Sequence, residues 1–245
     1  MLHYVHMKGI ILAGGSGTRL RPLTSITSKQ LLPIYNKPMI FFPLETLLNS
    51  GIKDVLIIVA PSNAGDFLKL LGSGKEFGCK FTYEIQDKPE GLAQAFLIGE
   101  NFLADDSATL VLGDNIFEDN FSEAITSFRS GGRVFAKEVP DPERFGVVMF
   151  DENKRAVSIE EKPEQPTSNF AVTGLYIYDN TVVQKVKTLA PSSRGELEIT
   201  DLNNVYLREG TLDVAFVAGK WFDTGTFESL YEATQFVRDR ARAQT

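Results

Sequence analysis

Gly9-Ile10-Ile11-Leu12-Ala13-Gly14-Gly15-Ser16-Gly17-Thr18-Arg19-Leu20 is the run on which the fold turns. Its first half is short, apolar and β-branched, the pattern of a strand buried on both faces, and the glycines end that strand at once. Three glycines allow positive φ and let backbone N–H groups close on an anion, as a phosphate nest requires. A tight βα turn without a ligand is the plainer reading. Two familiar phosphate loops fail on spacing: no Gly-Lys-Ser/Thr follows, as a P-loop needs, and Gly15-x-Gly17-x-x-Leu20 lacks the third glycine of the dinucleotide fingerprint.

Outward from this strand, Asp54-Val55-Leu56-Ile57-Ile58-Val59-Ala60 repeats the buried pattern, after an amphipathic stretch over 39–49 that stops near Gly51. Together they read as a βαβ unit. Strands are expected at 80–86 and 109–112, with helices at 65–71 and 92–102, an alternation that implies a parallel sheet under helices. From 133 the texture becomes hairpin-like, with strands at 133–138, 146–150, 156–160 and 171–178. Helices at 197–209 and 228–242 flank a strand at 212–218. The expected class is α/β: a Rossmann-like mixed, mainly parallel sheet flanked by helices, with a small inserted lobe. No Pro/Gly/Ser linker divides the halves, so 1–245 is expected to be one domain, with 1–6 a possible leader or alternative start.

The 245 residues carry 25 Lys plus Arg against 32 Asp plus Glu, a net charge of −7, which excludes a generally basic nucleic-acid binder. A 43% hydrophobic and 23% charged composition is that of a folded globular chain. Cys79 is the lone cysteine, so no intramolecular disulfide forms and a reducing cytoplasm is the expected compartment. No apolar run approaches the ~18 residues of a membrane span, and none at the start makes a signal peptide. His3 and His6 are the two histidines, which disfavours a Ser-His-Asp triad.

Arg19 closes the glycine run and Lys29 follows in Ser28-Lys29-Gln30-Leu31-Leu32-Pro33. Singly, each reads as solvated surface charge. Together, beside a glycine loop, they suit a triphosphate attacked at its α-phosphorus, where charge builds on the non-bridging oxygens and the departing pyrophosphate. Asp114 ends the apolar run 109–112, at the strand end where open α/β sheets place their ligands, and could cap a turn or hold a divalent ion. Gln86 also ends a strand, and its amide offers the donor and acceptor that a pyrimidine edge asks for.

These motifs resemble the sugar-1-phosphate nucleotidyltransferases. The likeness continues through Asn36-Lys37-Pro38-Met39, Gln86-Asp87-Lys88-Pro89-Glu90-Gly91-Leu92-Ala93-Gln94-Ala95, Leu112-Gly113-Asp114-Asn115 and Asp141-Pro142-Glu143-Arg144-Phe145-Gly146-Val147. Glu160-Glu161-Lys162-Pro163, Arg194-Gly195-Glu196-Leu197-Glu198-Ile199-Thr200-Asp201 and Trp221-Phe222-Asp223-Thr224-Gly225 extend it over nearly all of 8–237. Within the family the chain is most similar to members that join dTTP to α-D-glucose 1-phosphate, giving dTDP-glucose and pyrophosphate for deoxysugar routes such as dTDP-rhamnose biosynthesis.

The resemblance makes about 8–130 the nucleotide-binding half, about 131–225 the sugar-phosphate-binding half with the sugar-facing lobe, and about 226–245 a C-terminal helix. It implies Arg19, Lys29 and Lys162 as catalytic groups. Leu12, Gly14, Gly15, Ser16, Gly17, Thr18, Arg19, Gln30, Gln86, Pro89 and Gly91 would bind the nucleotide. Leu92, Asn115, Phe145, Gly146, Glu161, Lys162, Val172 and Arg194 would bind the sugar phosphate, and Asp114 and Asp223 would share one Mg²⁺. Phe145 stands where close relatives often carry Tyr, so a hydroxyl contact is missing and sugar selectivity is expected to differ. Partners implied are dTTP, α-D-glucose 1-phosphate, dTDP-glucose and pyrophosphate, with no nucleic acid or membrane, in a homo-oligomer, dimer or tetramer.

Longer family members carry additional C-terminal helices that form subunit contacts and a second, inhibitory nucleotide site, so the expectation here is a full active site without assured feedback control. The rivals are the same chemistry with UTP or both nucleotides, a non-catalytic sugar-nucleotide-binding regulator and, more remotely, a Rossmann dehydrogenase.

Overall fold

A computed structural model of the protein describes residues 6–15 and 17–243. The expectation of a leader falls almost wholly on residues outside these. Strand β1 (Met7–Ala13) enters the glycine loop, and the small hairpin of β2 (Pro33–Ile34) and β3 (Lys37–Pro38) precedes helix α1 (Phe41–Asn49). Then come β4 (Asp54–Val59), α2 (Ala64–Leu71), β5 (Lys80–Ile85), α3 (Gln94–Ile98), α4 (Glu100–Leu103), β6 (Ser107–Leu112), β7 (Asn115–Phe117) and α5 (Ser122–Thr126). The second half holds β8 (Gly132–Glu138), β9 (Gly146–Phe150), β10 (Ala156–Glu161), β11 (Phe170–Tyr178), α6 (Val182–Val186), α7 (Ile199–Arg208), β12 (Leu212–Phe216), β13 (Trp221–Asp223) and α8 (Phe227–Ala243).

Among the described residues nine strands make one mixed sheet, in the order β10-β9-β11-β6-β1-β4-β5, with β8 beside β11 and β12 beside β8. The block β6-β1-β4-β5 is parallel throughout. Strands β1, β4 and β6 are apolar on both faces because both are covered, while β5 at the sheet edge is partly exposed. Ile10, Leu12, Leu56 and Ile58 pack with Phe96, Val182 and Leu202 on one side, while Ile11, Ala13, Ile57 and Val59 pack with Leu44, Leu47 and Phe67 on the other. Alternation along β1 and β4 therefore feeds two cores. Helices α3, α6 and α7 cover the first face, and α1 and α2 the second.

The second half extends this sheet. Strand β11 runs antiparallel to β6 through Leu175–Tyr178, while its beginning pairs with β8 and β9. The expected hairpin texture is the β9–β10 pair, and β12 joins β8 in parallel. The helix expected over 92–102 is instead two short helices divided at Gly99, where a Cβ would stand 2.9 Å from Leu56 Cδ2. Closeness to the sheet there leaves no room for a side chain. Among the described residues no helix is long and apolar enough to cross a membrane.

Candidate active site

The site lies at the carboxyl ends of β1, β5 and β6, where the parallel block opens. Asp114 follows β6 by two residues, and Gly113 N donates to Leu12 O at 2.9 Å, which ties the turn to the end of β1. Two three-residue strands then bring the second acid to the first. In the antiparallel β7–β13 pair Asp223 stands opposite Asn115, and Trp221 opposite Phe117. Thr224 locks the join, its N and Oγ1 donating to Asp114 O at 3.0 and 2.7 Å.

Lys29 sits in a 3₁₀ turn (Lys29–Leu31), nearly buried, and its ammonium donates to Asp114 Oδ2. Asn115 Nδ2 donates to Asp114 Oδ1 at 3.0 Å, while Asn115 Oδ1 accepts from Trp221 Nε1 at 2.6 Å and Gly174 N at 3.0 Å. Burial pushes the Asp114 carboxyl upward, but the charge and hydrogen bond of Lys29, with help from Asn115, carry it below the ordinary carboxylate range. Among the described residues the nearest cation to Asp223 is more distant, Arg144 Nη2 at 3.9 Å. Burial and then the Asp114 carboxylate push it up to about 6, against partial relief from Lys29, Arg19 and Arg144. The pair is thus asymmetric, one acid firmly ionised and the other held back.

Arg19 rises from the 3₁₀ turn Thr18–Leu20 and lies over Gly225, where a Cβ would stand 2.7 Å from its guanidinium and 3.2 Å from Asp223 Oδ1. Gly14 lies so close to Gln86 that a Cβ would stand 2.1 Å from Gln86 Oε1, whereas a Cβ on Gly15 would meet no atom within 4 Å among the described residues other than its chain neighbours. Gly15 therefore faces open space at the strand end. Gly17 is left-handed at φ 59°, with Thr24 Oγ1 donating to its carbonyl at 2.8 Å. Ser16 lies outside the described residues. Gln30 is buried, its Oε1 accepting from Ser28 Oγ at 2.6 Å, so it supports the Lys29 turn. Pro89 is exposed, and Gly91 (φ 102°) presses on Leu197, where a Cβ would stand 2.3 Å from the carbonyl oxygen. Leu197 N donates to Glu90 O at 2.7 Å and Ala93 N to Leu197 O at 3.1 Å, so the 86–93 loop is clasped to the approach of α7.

A cavity of about 160 Å³ opens beside the two acids. Arg19, Leu92, Asp114, Asn115, Phe145, Gly146, Glu161, Lys162, Val172 and Asp223 all line it, drawn from seven separate segments. Glu161 ends β10 opposite Gly146 of β9, and its carboxylate accepts from Thr200 Oγ1 at 2.6 Å and from Arg194 Nη2 at 3.3 Å. Arg194 stands outside the wall, anchored on Glu198 at 2.9 Å, and reaches the cavity through Glu161. Lys162 has φ 45°, unusual for a residue with a side chain, and its N donates to Phe145 O at 2.9 Å. Its ammonium stands 3.5 Å from Glu161 Oε1.

Several wall groups lie outside the expected set of site residues. Arg144 forms an ion pair with Asp141 at 2.5 Å and stands 3.9 Å from Asp223 Oδ2. Thr200, Tyr176 and Trp221 also line the cavity, and the Phe145 and Trp221 rings meet at 5.0 Å. Arg144, Thr200 and Trp221 each fall inside a motif quoted above, the one signal that could have marked them.

A nucleotidyl transferase family model matches residues 8–240. The glucose-1-phosphate thymidylyltransferase of Neisseria meningitidis is 56% identical over 238 residues, covering 95% of this chain and 83% of that protein. Its Mycobacterium tuberculosis counterpart is 51% identical over 243 residues, covering 97% and 84%. A Bacillus anthracis protein described as a glucose-1-phosphate thymidylyltransferase and crystallised with sucrose superposes with a TM-score of 0.90 at 47% identity, covering 95% of this chain and 96% of that one. A UDP-glucose pyrophosphorylase complexed with UDP-glucose gives a TM-score of 0.84 at 26% identity, covering 96% and 99%.

Proposed function

The chain belongs to the nucleotidyl transferase family, and on that premise we propose that it joins dTTP to α-D-glucose 1-phosphate, forming dTDP-glucose and releasing pyrophosphate. The observation that carries this reading is one cavity lined by Asp114, Asp223, Arg19 and Arg144 together with Glu161, Lys162 and the Phe145–Trp221 pair, with Lys29 held on Asp114 beside it.

Asp114 and Asp223 fit a divalent cation. They are two oxygen donors crowded enough to hold one of them partly protonated, a conflict a dication relieves, and Mg²⁺ commonly takes one or two carboxylates beside water and phosphate. When bound, Mg²⁺ supplies neutralising charge to the phosphate oxygens. Among the described residues no group of three or more His, Cys, Asp or Glu forms a fuller cage.

In this reading the loop of Leu12, Gly14, Gly15, Ser16, Gly17 and Thr18 receives the triphosphate, with Arg19 and Lys29 on its charge. Gln86, beside Gly14, Pro89 and Gly91, meets the base. Lys162 positions the sugar phosphate with Arg194 behind it, and Glu161, Asn115, Gly146, Val172 and Leu92 surround the hexose. A sugar-phosphate oxygen bonds to the α-phosphorus as the bond to the departing pyrophosphate breaks in line. The attacking oxygen already bears charge at neutral pH, so alignment replaces a general base. The whole chain acts as one domain in the cytoplasm. A dimer or tetramer is the assembly that the family resemblance implies for this reading.

The test is pyrophosphate release in step with dTDP-glucose formation, with kcat/KM compared for dTTP, UTP and CTP. Tight dTDP-glucose binding without turnover would leave a sugar-nucleotide-binding regulator instead. Equal rates with UTP would make the enzyme dual, since a contact to the imide edge registers neither the thymine methyl nor the missing 2′-hydroxyl.

A further inference from the structure

Gln86 is 4% exposed, and its amide is one link of a three-residue chain. Its Nε2 donates to Gln94 Oε1 at 2.7 Å, Glu90 N donates to the same oxygen at 3.1 Å, and Gln94 Nε2 donates to Glu90 Oε2 at 2.8 Å. The sense of each amide follows from what its neighbours can do. A backbone N–H can only donate and a carboxylate only accepts, so Gln94 must turn its oxygen to Glu90 N and its amino group to the Glu90 side chain. That oxygen also faces Gln86, which must then turn its own amino group toward Gln94. The carbonyl oxygen of Gln86 is left facing the glycine loop at Gly14, with no hydrogen-bond partner among the described residues.

We propose that Gln94, held by Glu90, is a positioning residue that fixes the sense of the Gln86 amide and so selects the imide edge of thymine or uracil against cytosine. The inference rests on the reading that Gln86 meets the base. Thymine and uracil offer an N3–H that the fixed oxygen accepts. Cytosine offers a lone pair at N3, which the same oxygen repels, and only a flipped amide could satisfy it. A site whose buried acceptor would be left unpaired rejects the wrong ligand strongly. The contact is indifferent to the thymine methyl and the 2′-hydroxyl, so it separates dTTP and UTP from CTP and not from each other.

Steady-state kcat/KM for dTTP and CTP with glucose 1-phosphate tests this in four proteins of verified thermal midpoint. In Gln94→Leu the Gln86 amide is released, and the dTTP:CTP ratio should narrow at least about tenfold. In the double exchange Glu90→Gln with Gln94→Glu, the new carboxylate accepts from Gln86, from the residue 90 N–H and from the new amide, so the ratio should return to within about threefold of the parent. A purely structural role for Gln94 would not be mended by that exchange. If Gln86→Leu collapses the ratio while Gln94→Leu preserves it, the positioning role is overturned and the base contact stands. If Gln86→Leu itself preserves the ratio, the base contact fails and the positioning role with it. Should Gln94→Leu not fold, the exchange decides alone, and a narrowed ratio there overturns the proposal.

Discussion

At the scale of single residues the two acids behave as opposites. Lys29 holds Asp114 ionised, and removing the ammonium leaves a buried charge beside a second carboxylate. Lys29→Ala should lower kcat at least about 100-fold, as loss of a preorganised charge does, with the far-UV spectrum unchanged. Burial and then the Asp114 carboxylate push Asp223 up to about 6 in the fold, above its unfolded value near 4. The folded protein therefore binds more protons between those values, and stability falls as pH rises from about 4 to 6. Without metal, Asp223→Asn should raise stability by on the order of 2 kcal/mol at pH 8 and by almost nothing at pH 4, read from urea midpoints. Phe145→Tyr adds a hydroxyl to the cavity wall, and KM for glucose 1-phosphate should change severalfold with the dTTP KM held.

At the scale of elements the site is made by short pieces. Gly91 carries the clasp between the 86–93 loop and Leu197, with its φ in the region L side chains rarely adopt and no space for a methyl. Gly91→Ala should cost on the order of 3 kcal/mol in urea unfolding and, on the proposed function, weaken both substrates together, because the clasp joins the 86–93 loop to the helix carrying Thr200. Such pieces also mark where the sequence stops being readable. The buried runs of β1, β4 and β6 announce themselves by composition, and Asp114 at a strand end follows from them. Strands β7 and β13 are three residues each, too short to show a period, so only the resemblance linked Asp223 to Asp114. Arg144, Thr200 and Trp221 were visible as letters in motifs, but their contacts depend on how distant segments pack. Gly99, with Glu100 and Asn101 behind it, is itself a break signal that the expectation of one helix over 92–102 passes over; the nearness of Leu56 shows why that position is a glycine.

At the scale of the whole molecule, β11 belongs to both halves, pairing with β6 of the first half of the chain and with β8 and β9 of the second. Neither half can lose its sheet without exposing the other's edge. Calorimetric and van't Hoff enthalpies of unfolding should therefore agree within about 10%, and two separated heat peaks would contradict a shared core. Trp221 has its indole N–H on Asn115, its ring against Phe145, and the cavity in front of it. It is also the single tryptophan of the 245 residues. Excitation at the red edge of protein absorption therefore lights one point in the molecule, the cavity wall where the proposed function puts the hexose. The protein carries its own optical reporter, and sugar-phosphate entry can be timed by stopped-flow emission without a label, before any bond is made.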